Sequence, residues 1–244
     1  MKVVDLTQSL DEHTALWPDS VPFVADAQPA FDVDGFWWRD LAFPEHAGTH
    51  LDAPRHCVPG GASVADIPAD GLVRPAVRID ARALCAGDPA WVLSAADVEA
   101  WEAVHGRIPA GAAVLLCTGW DEHVADPARY LGDPLAFPGY GAEAAVLLVE
   151  RRVAGLGIDT LSVDAGAAAD FPVHFTSLPA GLWHLEGLVG LGAVPDTGAT
   201  VVAGALRLPG ASGTPARVLA LMPPRPRRAA AGTRPARRPR RRAR

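Results

Sequence analysis

The most informative part of this 244-residue chain is a short segment that holds three imidazoles and one carboxylate. The segment reads His46-Ala-Gly48-Thr49-His50-Leu-Asp52-Ala-Pro54-Arg-His56. Two imidazoles and a carboxylate suit a divalent ion such as Zn²⁺ or Mn²⁺ and leave coordination positions open for water. An ion held in this way lowers the pKa of bound water towards about 7 and polarises a carbonyl group. The segment therefore indicates a catalytic metal site with hydrolytic chemistry.

The spacing of these residues predicts extended backbone around the ion. On a helix, at about 100° per residue, Asp52 would point roughly 200° away from His50 and could not reach the same ion. In an extended chain the even-numbered positions share one face. Gly48 would then lie between two imidazoles and leave volume for the ion. We therefore expect an extended segment that turns His46, His50 and Asp52 to one side.

The last histidine of the segment has a separate expected role. His56 follows Pro54, which ends regular strand pairing and lets the chain turn the imidazole to one side of the ion. We expect His56 to take a proton from the attacking water and return it to the leaving nitrogen. The alternative is that His56 is a further metal ligand. A solvated loop beside a proline turn would explain single histidines, but not this many matched residue types.

The segment resembles the signature of the metal-dependent cyclase superfamily, which includes bacterial kynurenine formamidases (arylformamidases) and isatin hydrolases. That signature is His-x-Gly-Thr-His-x-Asp-x-Pro-x-His, and the sequence matches every fixed position of it. The resemblance implies that His46, His50 and Asp52 bind the metal and that His56 is the general acid/base. It also implies a swivelling β/β/α architecture built on a mixed, partly closed sheet.

The same resemblance implies a second ion. In members with two metals the aspartate, here Asp52, bridges both ions, and a later histidine and a glutamate twelve residues on complete the second site. These map onto His174 and Glu186. From the residues alone the pair stays open, because a proline and a glycine interrupt the span and His184 precedes the glutamate by two residues. We expect two Zn²⁺ or Mn²⁺ ions per subunit and keep His184 as the substitute for His174.

Further residues are candidates for the surroundings of the site. Trp17 occupies the place where formamidase-like relatives present an aromatic residue to the substrate ring, although it could be only a half-buried loop residue. Asp159 and Asp164 could orient a ligand imidazole through its other nitrogen, and a solvated loop is the alternative. Cys57 departs from the aromatic residue of many relatives, which leaves the shape of the substrate open. Other aromatic residues that could line the pocket, or belong to the core, are Phe36, Trp37, Phe171, Phe175 and Trp183.

The elements that position these residues are predicted from hydrophobic patterning. Apolar, β-prone runs predict strands near residues 2–6, 35–43, 73–79, 112–117, 154–158, 200–208 and 217–222. Helices are expected over residues 94–105, which open with the capping pattern Ser94-x-x-Asp97, and about 142–153. The second helix would join two parallel strands, while the other strands suggest mixed pairing. The expected fold class is α/β with a mixed sheet and flanking helices.

Composition indicates one soluble domain of enzyme size. With 49% hydrophobic residues the chain can bury one substantial core, which we expect to span residues 1–222. The three cysteines show no Cys-x-x-Cys spacing, which argues against a disulfide framework or a thiolate zinc site. No apolar run of eighteen residues and no hydrophobic leader is visible. We therefore expect a cytoplasmic protein without membrane contact.

Charge is divided unevenly along the chain. Residues 223–244 hold ten arginines, five prolines and no acid, so the preceding 222 residues carry 12 basic and 28 acidic side chains, a formal net charge of −16. A Pro/Arg/Ala run cannot bury a core, and we expect a disordered extension. It could bind a polyanion by counterion release. Because it has no interleaved aromatic residues, we do not expect a nucleic-acid partner.

These observations lead to a functional hypothesis of a metal-dependent hydrolase acting on a C–N amide bond. The resemblance favours an arylformamidase that converts N-formyl-L-kynurenine to L-kynurenine and formate in tryptophan catabolism. The alternative is an enzyme like isatin hydrolase, or one acting on another cyclic amide or lactone. A different class is a non-catalytic metal-binding protein. The resemblance also implies a small aromatic substrate and a homo-oligomer.

Overall fold

The computed structural model describes residues 1–26, 35–86 and 88–223. Its twelve strands are β1 (Lys2–Asp5), β2 (Val24–Ala25), β3 (Leu41–Ala42), β4 (His50–Asp52), β5 (Val73–Asp80), β6 (Val92–Leu93), β7 (Ala113–Cys117), β8 (Gly139–Tyr140), β9 (Gly155–Ile158), β10 (Trp183–Glu186), β11 (Ala199–Ala205) and β12 (Gly213–Met222). The α-helices in this part of the chain are α1 (Ala95–His105), α2 (Pro127–Leu131), α3 (Ala142–Glu150) and α4 (Pro172–Ser177). A short 3₁₀ helix, Pro54–His56, follows β4 directly.

The main sheet closes on itself. Its strand order is β1-β12-β11-β5-β7-β9-β10-β4, and β4 pairs again with β12, so that seven strands form a barrel and β1 extends it as an edge strand. The neighbouring pairs from β5 to β10 are parallel, whereas the pairs made by β4, β11 and β12 are antiparallel. This confirms the predicted α/β class with a mixed, partly closed sheet.

The two faces of the sheet carry separate cores. On β7, Leu115 belongs to the cluster inside the barrel, whereas its neighbour Leu116 packs outward. Helices α1 and α3 cover the outer face and contribute Val98 and Leu148 to that second cluster. Because alternate residues point to opposite faces, β5 and β7 supply both cores.

Both predicted helices are present. Helix α1 begins after Ser94, whose side chain accepts a hydrogen bond from the Asp97 backbone, and it ends before Gly106. Helix α3 is shorter than predicted because Arg152 adopts a φ of 58° and turns the chain out of the helix. The predicted parallel crossover from β7 through α3 to β9 is confirmed.

Other predicted elements differ from the structure. Within the predicted strand 35–43 only Leu41–Ala42 pairs, and Trp37 and Trp38 are exposed, so that no buried face extends the strand. Strand β10 and helix α4 were not among the predicted elements. Both carry candidate site residues.

Two further predictions concern the arginine-rich C-terminal segment and contact with a membrane. Strand β12 ends at Met222, and residues 224–244 of the arginine-rich segment lie outside the described residues. Of the helices that the structure describes, none has the length and apolar character needed to cross a membrane.

Candidate metal centre

The pairing register of β4 collects four polar side chains on one face of the sheet. His50 and Asp52 point outward from the barrel, while Leu51 between them is buried in the core inside it. On the antiparallel neighbour β10, His184 lies opposite Asp52 and Glu186 lies opposite His50. Directly opposite residues in such a pair have their Cβ atoms about 4.5–5.5 Å apart. Two sequence-distant pairs of candidate ligands therefore meet at one point.

The backbone before β4 turns, and the predicted extended stretch is wrong outside His50–Asp52. Gly48 has a φ of 59°, in the left-handed region that favours glycine. A Cβ on Gly48 would face Thr14 and Leu10 at 3.4 and 3.5 Å, so this glycine does not leave room for an ion. Its carbonyl instead accepts a hydrogen bond from His50 Nδ1 at 2.9 Å, which turns His50 Nε2 towards Asp52.

His46 reaches the same face from the other side of that turn. Its Nδ1 lies 2.7 Å from Asp52 Oδ1, a hydrogen-bond distance, and its Nε2 lies 3.0 Å from Ser212 Oγ. Ser212 in turn donates its hydroxyl to Glu45 at 2.7 Å. To bind an ion through Nδ1, His46 would exchange its bond with Asp52 for the ion.

Helix α4 delivers His174 to the cluster. The chain enters the helix through Phe171 at a φ of 47°, and Asp164 accepts hydrogen bonds from the backbone nitrogens of Val173 and His174. Asp164 also contacts His174 Nδ1 at 2.7 Å. His174 Nε2 therefore faces the site, 3.5 Å from Glu186 Oε1 and 3.6 Å from Asp52 Oδ2.

Asp159 has a different place from the one proposed for it beside a ligand. It follows β9 and accepts hydrogen bonds from Thr118 and Gly119, which follow β7. Burial raises the pKa of Asp159 to about 7, against the opposing effect of the Thr118 and Gly119 bonds. Of the two aspartates, Asp164 is the one in contact with a candidate ligand imidazole.

The residues present fit a divalent cation. Within the described residues, three buried side-chain atoms make no hydrogen bond, and all three belong to this cluster: His50 Nε2, Asp52 Oδ2 and His184 Nδ1. Leaving such an atom unsatisfied costs about 1–3 kcal/mol. Burial alone would lower the pKa of His50, yet Asp52 and Glu186 outweigh burial and raise it to about 10. The cluster thus favours positive charge, which a metal ion supplies.

His56 lies beside the cluster at its exposed edge. Its ring centroid is 4.1 Å from that of His46 and 5.6 Å from that of His174. Partial burial and the two neighbouring imidazoles lower the pKa of His56, against the opposing effect of Asp52. The ligand atoms available on His46, Asp52 and His56 lie within 4.8 Å of one another, so the alternative role as a metal ligand stays open.

A cavity of about 450 Å³ opens over this cluster. Its lining combines imidazoles and Glu186 with the apolar side chains of Trp17, Pro44, Leu161, Phe171 and Phe175. The rings of Trp17 and Phe171 are 5.7 Å apart. Cys57 also lines the cavity, and burial raises the pKa of its thiol, which keeps it protonated at neutral pH.

The remaining aromatic candidates lie elsewhere. Trp183 is buried in the core inside the barrel, and its indole nitrogen donates to the Gly71 carbonyl. Phe36 and Trp37 are exposed and do not line the cavity described above.

Sequence reasoning assigned no role to three hydroxyl residues that hold the site. Thr49 donates to the Gly187 carbonyl and so links the start of β4 to the end of β10. Ser177 contacts His184 Nε2 at 2.7 Å, and Ser212 contacts His46. Thr49 belongs to the matched motif and could have been noted. The other two carry no local signal, because their contacts depend on tertiary packing.

Comparison with known proteins gives consistent matches over most of the chain. The Cyclase family model matches residues 4–165. Isatin hydrolase from Roseibium aggregatum is 33% identical in an alignment that covers 91% of this chain and 92% of that protein. Kynurenine formamidase from Salinibacter ruber is 28% identical over 90% of this chain and 97% of that protein.

Solved structures agree with these sequence matches. Isatin hydrolase A from Ralstonia solanacearum has a TM-score of 0.85 and 37% identity, covering 91% of this chain and 92% of that one. A structure described as a potential metal-dependent hydrolase with cyclase activity has a TM-score of 0.70 and 28% identity, covering 90% and 96%. Both similarities cover nearly the whole of each chain.

Proposed function

The chain belongs to the Cyclase family, and from that premise we propose that it is a metal-dependent hydrolase that opens the C–N amide bond of a compact aryl lactam such as isatin. This family membership agrees with the resemblance seen in the His46–His56 motif. The relatives compared above, isatin hydrolase and kynurenine formamidase, are hydrolases of amide bonds. The observation that carries the substrate proposal is the cavity, whose lining combines aromatic side chains with candidate metal ligands.

The shape and charge of the cavity favour a flat, uncharged substrate. Trp17 and Phe171 supply aromatic rings for contact with an aryl group, and a bicyclic lactam would occupy part of the roughly 450 Å³. None of the described residues that line the cavity is a lysine or an arginine. A substrate with its own carboxylate would therefore find no lysine or arginine partner among them.

The metal-binding roles follow from the cluster. His46, His50 and Asp52 would hold one divalent ion, Zn²⁺ or Mn²⁺, and His174 and Glu186 would hold a second ion with Asp52 between the two. When bound, such an ion supplies Lewis-acid activation of water and of a carbonyl oxygen. Asp164 holds the His174 ring in the orientation that this role requires.

His56 has the position and protonation state of a general base. Its lowered pKa leaves the imidazole neutral near pH 7, so that it can accept a proton. In the proposed reaction it takes a proton from water that attacks the lactam carbonyl. It then returns that proton to the nitrogen as the C–N bond breaks, which releases an amine and a carboxylate in one opened chain.

N-formyl-L-kynurenine is the second candidate substrate, and this order reverses the one that the motif alone favours. The kynurenine formamidase similarity over 97% of that relative supports it. Against it stand the higher identities to isatin hydrolases, 33% and 37%, and the charged amino-acid end of N-formyl-L-kynurenine. The formyl amide and the lactam nevertheless require the same bond cleavage.

A substrate panel tests the proposal. Protein reconstituted with Zn²⁺ or with Mn²⁺ is assayed on isatin, N-formyl-L-kynurenine and simple lactones. We expect kcat/KM for isatin to exceed that for N-formyl-L-kynurenine by about 100-fold or more, because no lysine or arginine lines the cavity to pair with the substrate carboxylate and a charge buried without a partner costs several kcal/mol. Chelation should abolish turnover.

Three other outcomes would contradict this proposal. A preference for N-formyl-L-kynurenine would make the chain an arylformamidase. Stoichiometric metal binding without turnover of any amide or lactone would favour a non-catalytic metal-binding protein. Steeply salt-dependent DNA binding that disappears when residues 223–244 are removed, without turnover of any substrate in the panel, would favour a polyanion-binding role. Assembly as a homo-oligomer stays a prediction, which light scattering of the purified protein would test.

A further inference from the structure

We infer that His184 is a ligand of the second ion through its Nδ1, so that four protein side chains close that site: Asp52, His174, His184 and Glu186. The inference rests on the proposed function only in requiring a metal-binding chain. His184 is fully buried on β10, directly opposite Asp52 and on the same face as Glu186. The register of two paired strands therefore delivers it to the cluster.

The hydrogen bonds of Ser177 determine which nitrogen of His184 carries the proton. The Ser177 hydroxyl donates to the Val173 carbonyl at 2.7 Å. Its oxygen lies 2.7 Å from His184 Nε2 and must accept there, because its own proton is used. His184 thus carries its proton on Nε2, and Nδ1 has a free lone pair.

That lone pair points at an acceptor. His184 Nδ1 is buried without a hydrogen bond and lies 3.6 Å from Asp52 Oδ2, which is itself unsatisfied. A distance of 3.6 Å is too long for a hydrogen bond. Two buried lone pairs that face each other repel unless a cation lies between them. A histidine with only a packing role would instead direct Nδ1 at a donor.

The separations between the four side chains match an ion site. Ligands about 2.0–2.1 Å from Zn²⁺ at the corners of a tetrahedron lie about 3.3–3.4 Å from one another. Asp52 Oδ2 lies 3.6 Å from His174 Nε2 and 3.6 Å from His184 Nδ1, and His174 Nε2 lies 3.5 Å from Glu186 Oε1. One ligand atom from each of the four residues lies within 4.8 Å of all the others. Small shifts of these four side chains would complete a tetrahedral arrangement of ligand atoms.

The four-ligand set assigns different roles to the two ions. A site closed by four protein ligands holds a structural ion, whereas a site with three protein ligands keeps a position for water and substrate. The ion at His46, His50 and Asp52 would then be the catalytic one, beside His56. The ion at His184 would be the more tightly held and would brace β4 against β10 and α4.

Metal counting on His184→Leu tests the inference. Wild type and variant are dialysed against buffered micromolar Zn²⁺ alone, and bound metal is measured by mass spectrometry. We expect two ions per chain in the wild type and one in His184→Leu. His105→Leu, which removes an exposed histidine on α1, is the matched control and should keep two.

Two further measurements cover the case in which His184→Leu does not fold. Ser177→Ala removes the partner that orients the imidazole, together with the hydrogen bond to the Val173 carbonyl within α4, and it should weaken the binding of the second ion by about 10–100-fold. In the wild type loaded with ¹¹³Cd²⁺, the metal should couple to Nδ1 of His184 but to Nε2 of His174, because Asp164 occupies the other nitrogen of His174.

Opposite results would overturn the inference. These are two ions with unchanged affinity in His184→Leu, or no ¹¹³Cd coupling to His184 in metal-loaded wild type. Either result combined with metal-dependent isatin hydrolysis would leave the proposed function intact. Loss of one ion in His184→Leu, in a wild type that hydrolyses nothing in the panel, would instead support the ligand and refute the substrate.

Discussion

Each buried imidazole of the site has one nitrogen committed to the protein and one turned inward. His50 uses Nδ1 on the Gly48 carbonyl, and His174 uses Nδ1 on Asp164. Such partners select the tautomer and aim the second nitrogen, which is how proteins orient metal-binding histidines. His56 has no comparable bond among the hydrogen bonds described above, and it lies at the exposed edge of the cluster. This contrast supports the proposed division between His56 as a proton carrier and the other imidazoles as metal ligands.

Replacement of His56 by alanine should remove turnover and leave the metal in place. A general base contributes about 10²–10⁴-fold to the rate, so kcat should fall by at least about 100-fold. Metal content per chain and kcat are measured on the same preparation. His123→Ala, which changes a residue outside the cavity, is the control. Loss of an ion from His56→Ala would show that His56 is a ligand.

At the scale of elements, β12 shapes the site as much as the strands that carry the ligands. Its first residue, Gly213, pairs with Asp52 on β4. An added Cβ there would lie 2.5 Å from His46 Cε1 and 2.8 Å from His46 Nδ1. Real Cβ atoms do not approach so closely, and the His46 ring is held by Asp52 and Ser212. The absence of a side chain at Gly213 is therefore what lets His46 reach the cluster.

Gly213→Ala should displace His46 and weaken the catalytic ion. Because the backbone of Gly213 does not have a positive φ, alanine adds no backbone strain and the effect should be local. We expect the affinity of one of two ions to fall by about tenfold or more, with kcat/KM falling in parallel. Isothermal titration with Zn²⁺ measures this.

A control on the same strand is Arg217→Ala, since Arg217 pairs with Asp5 at the surface. It should bind metal as the wild type does. Unchanged metal affinity in Gly213→Ala would show that His46 is not a ligand.

At the scale of the whole molecule, strand β12 closes the barrel by pairing with β4, β11 and β1 in turn. The strand ends next to the site are also tied together, since Asp159 after β9 holds the backbone of Thr118 and Gly119 after β7. This buried carboxyl couples the stability of the barrel to pH. The pKa of Asp159 is about 7 in the fold, against a reference value of 3.8.

Asp159→Asn should therefore alter how stability depends on pH. Between about pH 4 and 7 the folded chain keeps a proton on Asp159 that the unfolded chain has released. The contribution of Asp159 to the free energy of unfolding is then complete below pH 4. It is lost as pH rises through 7, by up to ~1.4 kcal/mol per pH unit. Urea unfolding at several pH values should show the difference between wild type and variant falling over this range. Glu12→Gln, at an exposed carboxylate, is the control. A constant difference for Asp159→Asn would contradict the raised pKa.

The sequence by itself determined the local features of this protein. The types and spacing of His46, His50, Asp52 and His56 indicated the candidate metal centre and the family, and Ser94 with Asp97 placed the start of α1. Such signals lie within a few residues of one another, where the geometry of the backbone relates them directly. The parallel crossover followed from the same kind of periodicity.

Only the tertiary structure decided which distant residues join the site. Thr49 and Gly187 are 138 residues apart, and their contact belongs to the same register that brings His184 opposite Asp52. A shift of β10 by one residue in this register would turn His184 and Glu186 to the opposite face of the sheet. The choice of Asp164 over Asp159, and the union of Trp17 with Phe171 in the cavity lining, likewise depend on packing between segments far apart in sequence. Local patterning carries no information about such contacts, because many folds can satisfy the same pattern.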